Sequence, residues 1–260
     1  MRCDTISRMR LRASQSTVEN CATLWYALRL NFNEEKKIMR CKFATALLAF
    51  GALMLTPLLA ADDNAPKPDA EGFYQLFDGK TLDGWKVGKN PETFKVEDGV
   101  IVVNGKGPAH LFYEGPVNNH DFKNFHLRAV VKTFPKANSG IYFHTTYQES
   151  DWPAKGFEAQ VNATHTDRKK TGGLYNVKDV MDNAPNKDGE WFTYDIIVEG
   201  KHVVLQIDGK TTSDWTQPDG WKGPDEKMTG RVLDHGTIAL QGHDPGSKVL
   251  YKSVAIKPLP

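Results

Sequence analysis

The 260 residues divide 33 Lys+Arg against 32 Asp+Glu, a balance that offers no basic face for phosphate backbones. Removing the 9 basic and 4 acidic side chains of residues 1–61 leaves 24 against 28, a net of −4, so nucleic acid is excluded as a partner of the remainder. Cys3, Cys21 and Cys41 all precede residue 62, so the later chain carries neither a disulfide nor a thiol nucleophile.

In chain order, Met39-Arg40-Cys41-Lys42 is a short basic stretch, Phe43 to Leu59 is mostly apolar, and Ala60-Ala61 supplies small residues before Asp62-Asp63. This is the charged, apolar and small-residue sequence of a cleaved secretory signal. The run is shorter than the ~20 residues of a spanning helix and holds Pro57, so no stable membrane anchor is expected after cleavage. The expected organisation is residues 1–38 as a misassigned start or an extension outside the fold, 39–61 as signal peptide, 62–71 as a polar linker, and 72–260 as one domain. The expected location is the periplasm or the exterior.

Beyond the linker the signals are those of strands. Phe94-Lys95-Val96-Glu97 and Val100-Ile101-Val102-Val103 flank Asp98-Gly99, the two-residue signature of a hairpin. Phe125 to Val131, Ser139 to His144 and Gly156 to Val161 follow. The basic run Arg168-Lys169-Lys170 reads as a solvated loop. Trp191 to Val198 and His202 to Ile207 flank Glu199-Gly200-Lys201, and Asp208-Gly209 leads into Lys210 to Trp215. Gly236 to His243 and Leu250 to Ile256 complete an all-β pattern of short strands, a sandwich or a barrel. Trp191 and Trp85 read as packing indoles, whereas Trp152 and Trp215 to Trp221 sit in loop-like contexts suited to a rim.

Side chains of a strand alternate between two faces. Phe157, Ala159 and Val161 oppose Glu158, Gln160 and Asn162. Ile238 and Leu240 oppose Gln241 and His243. Ile141 and Phe143 oppose Tyr142 and His144. Three strands thus pair an apolar face with amide, imidazole, carboxylate and phenol groups. Those groups hydrogen-bond polyhydroxylated ligands and stack on their apolar faces, so a shared hollow is expected.

An ordered set of motifs then appears: Leu76-Phe77-Asp78-Gly79-Lys80-Thr81-Leu82-Asp83-Gly84-Trp85, Val96-Glu97-Asp98-Gly99, Asn138-Ser139-Gly140-Ile141-Tyr142-Phe143, Gly156-Phe157-Glu158-Ala159-Gln160-Val161, Thr171-Gly172-Gly173-Leu174-Tyr175, Gly189-Glu190-Trp191, Leu240-Gln241-Gly242-His243 and Ile256-Lys257-Pro258-Leu259. With these the chain resembles the 3-keto-disaccharide hydrolase domain family from Gly72 to Leu259. The resemblance implies a concanavalin A-like jelly-roll β-sandwich of two antiparallel sheets. It also implies cleavage of glycosides whose sugar is oxidised to a ketone at C3. Two positions depart from the family pattern: His144 stands where many members carry Arg, and Phe94 where Trp is frequent.

A direct glycosidase uses two carboxylates, and the Glu158 strand offers one. A C3 ketone acidifies the C2 proton and places the glycosidic oxygen β to the carbonyl, so elimination followed by hydration replaces the second carboxylate. On this reading His144 or Glu158 is the base and His243 the acid. Gln160 and Gln241 orient hydroxyls or the enolate, with Asn138, Tyr142 and Tyr175 binding substrate. No cofactor is required by the sequence. A divalent metal polarising the ketone is the alternative, and its nearest donors are His165, Asp167 and Asp244, at no spacing of a ligand motif. The expected partner is a 3-keto-glycoside. The competing readings are a non-catalytic carbohydrate-binding module, which the same fold supports, and a surface domain without a ligand. The sequence does not fix the oligomeric state.

Overall fold

The computed structural model describes residues 66–260. The expected signal and the segment before it lie outside them. The strands are β1 (Tyr74–Gln75), β2 (Trp85–Val87), β3 (Phe94–Glu97), β4 (Val100–Val103), β5 (Ala109–Tyr113), β6 (Phe125–Thr133), β7 (Ser139–Thr145), β8 (Phe157–Val161), β9 (Lys169–Leu174), β10 (Lys178–Met181), β11 (Trp191–Glu199), β12 (His202–Ile207), β13 (Lys210–Thr216), β14 (Thr237–Gly242) and β15 (Val249–Pro258). Two short 3₁₀ turns, Pro91–Thr93 and Val117–His120, are the only helical segments among the described residues.

The strands form two antiparallel sheets. The first runs β13-β12-β11-β6-β15-β4-β3, with β1 paired to β15, and the second runs β10-β9-β8-β7-β14-β5-β2. This is the jelly-roll sandwich implied by the motifs. The hairpin turns follow their residues: Asp98 and Gly99 take φ of 48° and 77°, and Asp208 and Gly209 take 49° and 75°. Positive φ at both central positions matches the twist of the flanking strands.

The apolar faces meet between the sheets. In β6, Phe125, Leu127, Ala129, Val131 and Thr133 are buried while the residues between them are half-exposed, a strict period of two. Each large side chain so buried contributes about 1.5–3 kcal/mol. From the second sheet, Leu111, Ile141, Phe143, Phe157, Ala159, Val161, Ile238 and Leu240 join the same core.

The two sheets differ on their outer sides. β7, β8 and β14 are buried at every position, outward residues included. The loops over residues 146–156 and 217–236 contribute side chains above that outer face. Gly156 N–H donates to Gly230 O at 2.9 Å, and Arg231 Nη1 donates to Gly156 O at 2.9 Å, so the two loops are stitched together.

Two readings need correction. Lys169 and Lys170 belong to strand β9, not to a solvated loop. Lys170 is buried, its ammonium donating to His165 O at 2.7 Å, and only Arg168 is a solvated cation, paired with Asp182. Trp191 is not a packing residue: it is 38% exposed, and Lys132 Nζ lies 4.5 Å from its ring centre.

Candidate active site

Antiparallel pairing lays the outward side chains of the second sheet in rows. Glu158 stands opposite Tyr142, and Tyr142 opposite Ala239. One step along, Gln160 is opposite Gly140 and Gln241 opposite His110. Directly opposed residues share a face, so the carboxylate, the phenol and both amides converge. They line a cleft of about 430 Å³ together with Asn138, Tyr175 and His243. Trp152, Lys227, Met228 and Arg231 complete its walls from the covering loops. The volume falls in the ~300–1,000 Å³ range of small-molecule sites.

Glu158 is the only carboxylate lining the cleft among the described residues. Both its oxygens accept hydrogen bonds: Tyr142 Oη donates to Oε2 at 2.8 Å and Gln241 Nε2 to Oε1 at 2.9 Å. Burial raises its pKa above the ordinary carboxylate value, and the Arg231 charge and the two hydrogen bonds oppose that rise only in part. Gly140 makes this geometry available. A Cβ there would lie 2.5 Å from Glu158 Oε1 and 2.8 Å from its Cγ, so the carboxylate occupies the space that any larger residue would fill.

The amides are held by one end and open at the other. Gln160 Nε2 donates to Asn138 Oδ1 at 2.9 Å, and Asn138 N–H donates to Ser247 Oγ at 2.9 Å. The buried oxygens Gln160 Oε1 and Gln241 Oε1 have no partner among the described residues. Each such oxygen costs about 1–3 kcal/mol, and a ligand hydroxyl would offset it.

His243 Nδ1–H donates to Asp244 Oδ1 at 3.1 Å, which leaves Nε2 as the nitrogen open to a ligand. Asp244 also accepts from Ser247 Oγ, and its other oxygen lies 3.5 Å from His165 Nε2. His165 Nδ1 in turn accepts the Asp167 N–H at 3.0 Å. Both nitrogens of His165 are thus engaged within the protein. Among the described residues no three His, Cys, Asp or Glu side chains are grouped to hold a metal. Tyr175 donates to Asp167 at 3.4 Å, and burial, then the Asp167 and Glu158 charges, push its hydroxyl up to about 12.

His144 stands apart from the other sequence-predicted residues. Alternation predicts it on the face of Tyr142, but β7 bulges against β14: Tyr142 pairs with Ala239 and Thr145 with Thr237, so two residues of β7 face one of β14. His144 takes a φ of 54° and turns away from the cleft, edge-on to Phe125 and Phe143. Its Nδ1 accepts the Asp234 N–H at 3.1 Å, so Nε2–H donates to Lys123 O at 2.8 Å. Burial lowers its pKa to about 4. With both nitrogens bonded to backbone, the ring has no lone pair to offer a substrate.

Sequence reasoning missed Arg231, Lys227 and Met228, which come from a loop with no periodicity. It also missed the strand Ala109–Tyr113, which is buried throughout and so shows no alternation.

Residues 72–257 match the family model described as a 3-keto-alpha-glucoside-1,2-lyase-like domain. The chain belongs to this family. A 3-keto-disaccharide hydrolase of Bacteroides thetaiotaomicron is 28% identical over 234 residues, covering 74% of this chain and 80% of the relative. The crystal structure of a presumed glycosyl hydrolase from Parabacteroides distasonis superposes with a TM-score of 0.61 at 26% identity, over 74% of this chain and 95% of that one. A second from the same organism gives 0.56 at 22% identity, over 72% and 99%, and speaks for the fold alone. Membership of the 3-keto-alpha-glucoside-1,2-lyase-like family gives the chain a carbohydrate-related function.

Proposed function

We propose that this protein cleaves the glycosidic bond of 3-keto-glycosides by elimination and hydration. The observation that carries the reading is Glu158: a buried carboxylate, made more basic by burial, in a cleft that no second carboxylate lines among the described residues. Such a group suits proton abstraction from a carbon acid better than the paired work of a direct glycosidase.

Glu158 takes the C2 proton, and the electron pair moves to the C3 oxygen as an enolate. Arg231, lining the same cleft, supplies positive charge for that oxygen. The enolate collapses, the C1–O bond breaks, and the leaving oxygen takes a proton from His243. Water adds to C1 of the resulting enone and C2 is reprotonated, so the sum is hydrolysis. Gln160 and Gln241, with Asn138, Tyr142 and Tyr175, bind hydroxyls. Glu158 is preferred to His144 as the base because both imidazole nitrogens of His144 are already bonded.

The test is incubation of a 3-keto-glucoside in D₂O with the product followed by NMR. Elimination and hydration place deuterium at C2 of the released sugar. Release without label would mean direct hydrolysis, and binding without release a non-catalytic module. The proposal includes export through the signal at residues 39–61. N-terminal sequencing of the exported protein checks this and is expected to read from near Asp62.

A further inference from the structure

Arg231, the cation proposed to face the C3 oxygen, comes from a loop, so no strand register fixes its place. Its guanidinium is tied at one end. Nη1 donates to Gly156 O at 2.9 Å, and Cζ lies 5.1 Å from the centre of the Tyr142 ring, whose hydroxyl bonds Glu158. An arginine side chain has many rotamers, so its head keeps one place only if its main chain is held as well.

The main chain is held by an indole. Trp221 Nε1 donates to Arg231 O at 2.6 Å. The sequence suggests a rim for Trp215 and Trp221, yet neither lines the cleft. The two rings instead meet edge-on with centres 5.2 Å apart. Trp215, in β13 of the first sheet, packs on the core, its ring 5.7 Å from that of Phe157, the residue before Glu158. Gln217, just past β13, adds a second tie: its N–H donates to Lys201 O at 2.8 Å, and its Oε1 accepts the Leu233 N–H at 2.7 Å. The loop that carries Arg231 thus hangs from the edge strand of the sheet that does not bear the cleft.

We infer that Trp221 is a positioning residue: its indole N–H fixes the Arg231 carbonyl and, through it, the guanidinium beside the proposed enolate oxygen. The inference rests on the role proposed for Arg231 and adds the group that makes that role possible. The other task open to a half-buried indole is packing, and the two tasks use different parts of the ring. Packing uses its area, whereas the bond to Arg231 O uses only Nε1–H. Phenylalanine keeps more of the area and loses the donor. Histidine keeps an N–H at the corresponding corner of the five-membered ring and loses more of the area.

The experiment compares Trp221→Phe and Trp221→His by steady-state release of the aglycone from a 3-keto-glucoside, each with Arg231 intact and with Arg231→Lys. Trp221→Phe is expected to lower kcat about tenfold or more with KM within about threefold, because a misplaced charge is felt in the transition state. Trp221→His loses less than Trp221→Phe. With Arg231→Lys already present, Trp221→Phe lowers kcat by less than about twofold, the non-additivity of residues that act as one unit. A loss under about threefold from Trp221→Phe, an equal loss in both backgrounds, or a greater loss in Trp221→His overturns the inference. Melting temperatures are read alongside, and a Trp221→Phe protein that does not fold assigns the indole to packing and overturns it as well. NMR of the Arg231 guanidinium, identified by its disappearance in Arg231→Lys, needs no turnover. Its signal is expected to move in Trp221→Phe and to move less in Trp221→His, and an unmoved signal in Trp221→Phe sinks the inference. Wild-type protein that releases no aglycone would overturn the proposed reaction, while the guanidinium signal would still decide the placement of Arg231.

Discussion

The two sheets of the sandwich have outer faces built on the same alternation and put to opposite uses. On the first sheet the outward residues of β6 are half-exposed, and two of them serve a buried carboxylate, Asp195. His126 Nε2 lies 2.7 Å from Asp195 Oδ1 and Arg128 Nε donates to that oxygen at 2.8 Å. Burial acts to raise the Asp195 pKa, but these bonds and charges outweigh it and hold it below the ordinary value. On the second sheet the outward carboxylate is Glu158, buried under two loops, and there burial wins and the pKa rises. The two carboxylates are equally deep, at 5% and 6% exposed, so partners decide: a guanidinium bonded to the carboxylate holds its pKa down, whereas phenol and amide donors leave burial uncompensated and the proton affinity raised.

The linkage has opposite signs on the two faces. Asp195, depressed, contributes stability above its unfolded value of 3.8, and that contribution is lost as pH falls through the folded value. Glu158, raised above 4.5, contributes stability below 4.5 that is lost as pH rises through its folded value, the same rise that creates the base.

The comparison is broken most severely at Glu158. Glu158→Gln is expected to lower kcat by about 10²–10⁴-fold while the melting temperature at pH 7 stays level or rises, because a buried charge has been removed. A melting scan beside the activity assay checks both halves, and a large loss of stability would put Glu158 in the class of Asp195. Gly140→Ala drives a methyl into the carboxylate's space. A displacement of about 1 Å costs on the order of 10²-fold in rate, and strain of about 1–3 kcal/mol accompanies it, read by kinetics and urea unfolding. His144→Gln sharpens the boundary of the site: stability falls by about 1–3 kcal/mol as backbone partners are lost, with turnover changed less than threefold. Asp195→Asn has the smallest effect. Stability at pH 7 drops by about 1 kcal/mol or less, since its partners reach solvent, turnover is unchanged, and the acid-unfolding profile below pH 4 loses part of its slope.

Much of the sandwich was legible because β3, β4, β6, β11 and β12 carry either clean alternation or a turn dipeptide whose geometry is obligatory. β5 and β9 were not. Ala109–Tyr113 is buried on both faces, and β9 opens with two lysines, one of which is buried by its bonds to a loop. In the site, the parity rule located Glu158, Gln160, Tyr142 and Gln241 because their strands keep register at those positions. It misplaced His144 because one extra residue in β7 resets parity, and no residue type announces a bulge. Arg231 reaches the cleft from a loop, where no period exists to be read, whereas the loop-like context of Trp152 already suited it to the rim.

The pairing of β1 with β15 sets Tyr74 opposite Ile256 and Gln75 opposite Ala255. The domain's two ends therefore lie side by side on the sheet that does not carry the cleft. A circular permutant that bridges residues 258 and 72 with a short flexible link, and opens the exposed Asp98–Gly99 hairpin, would keep the second sheet intact. Immobilisation through either end would leave the cleft unobstructed.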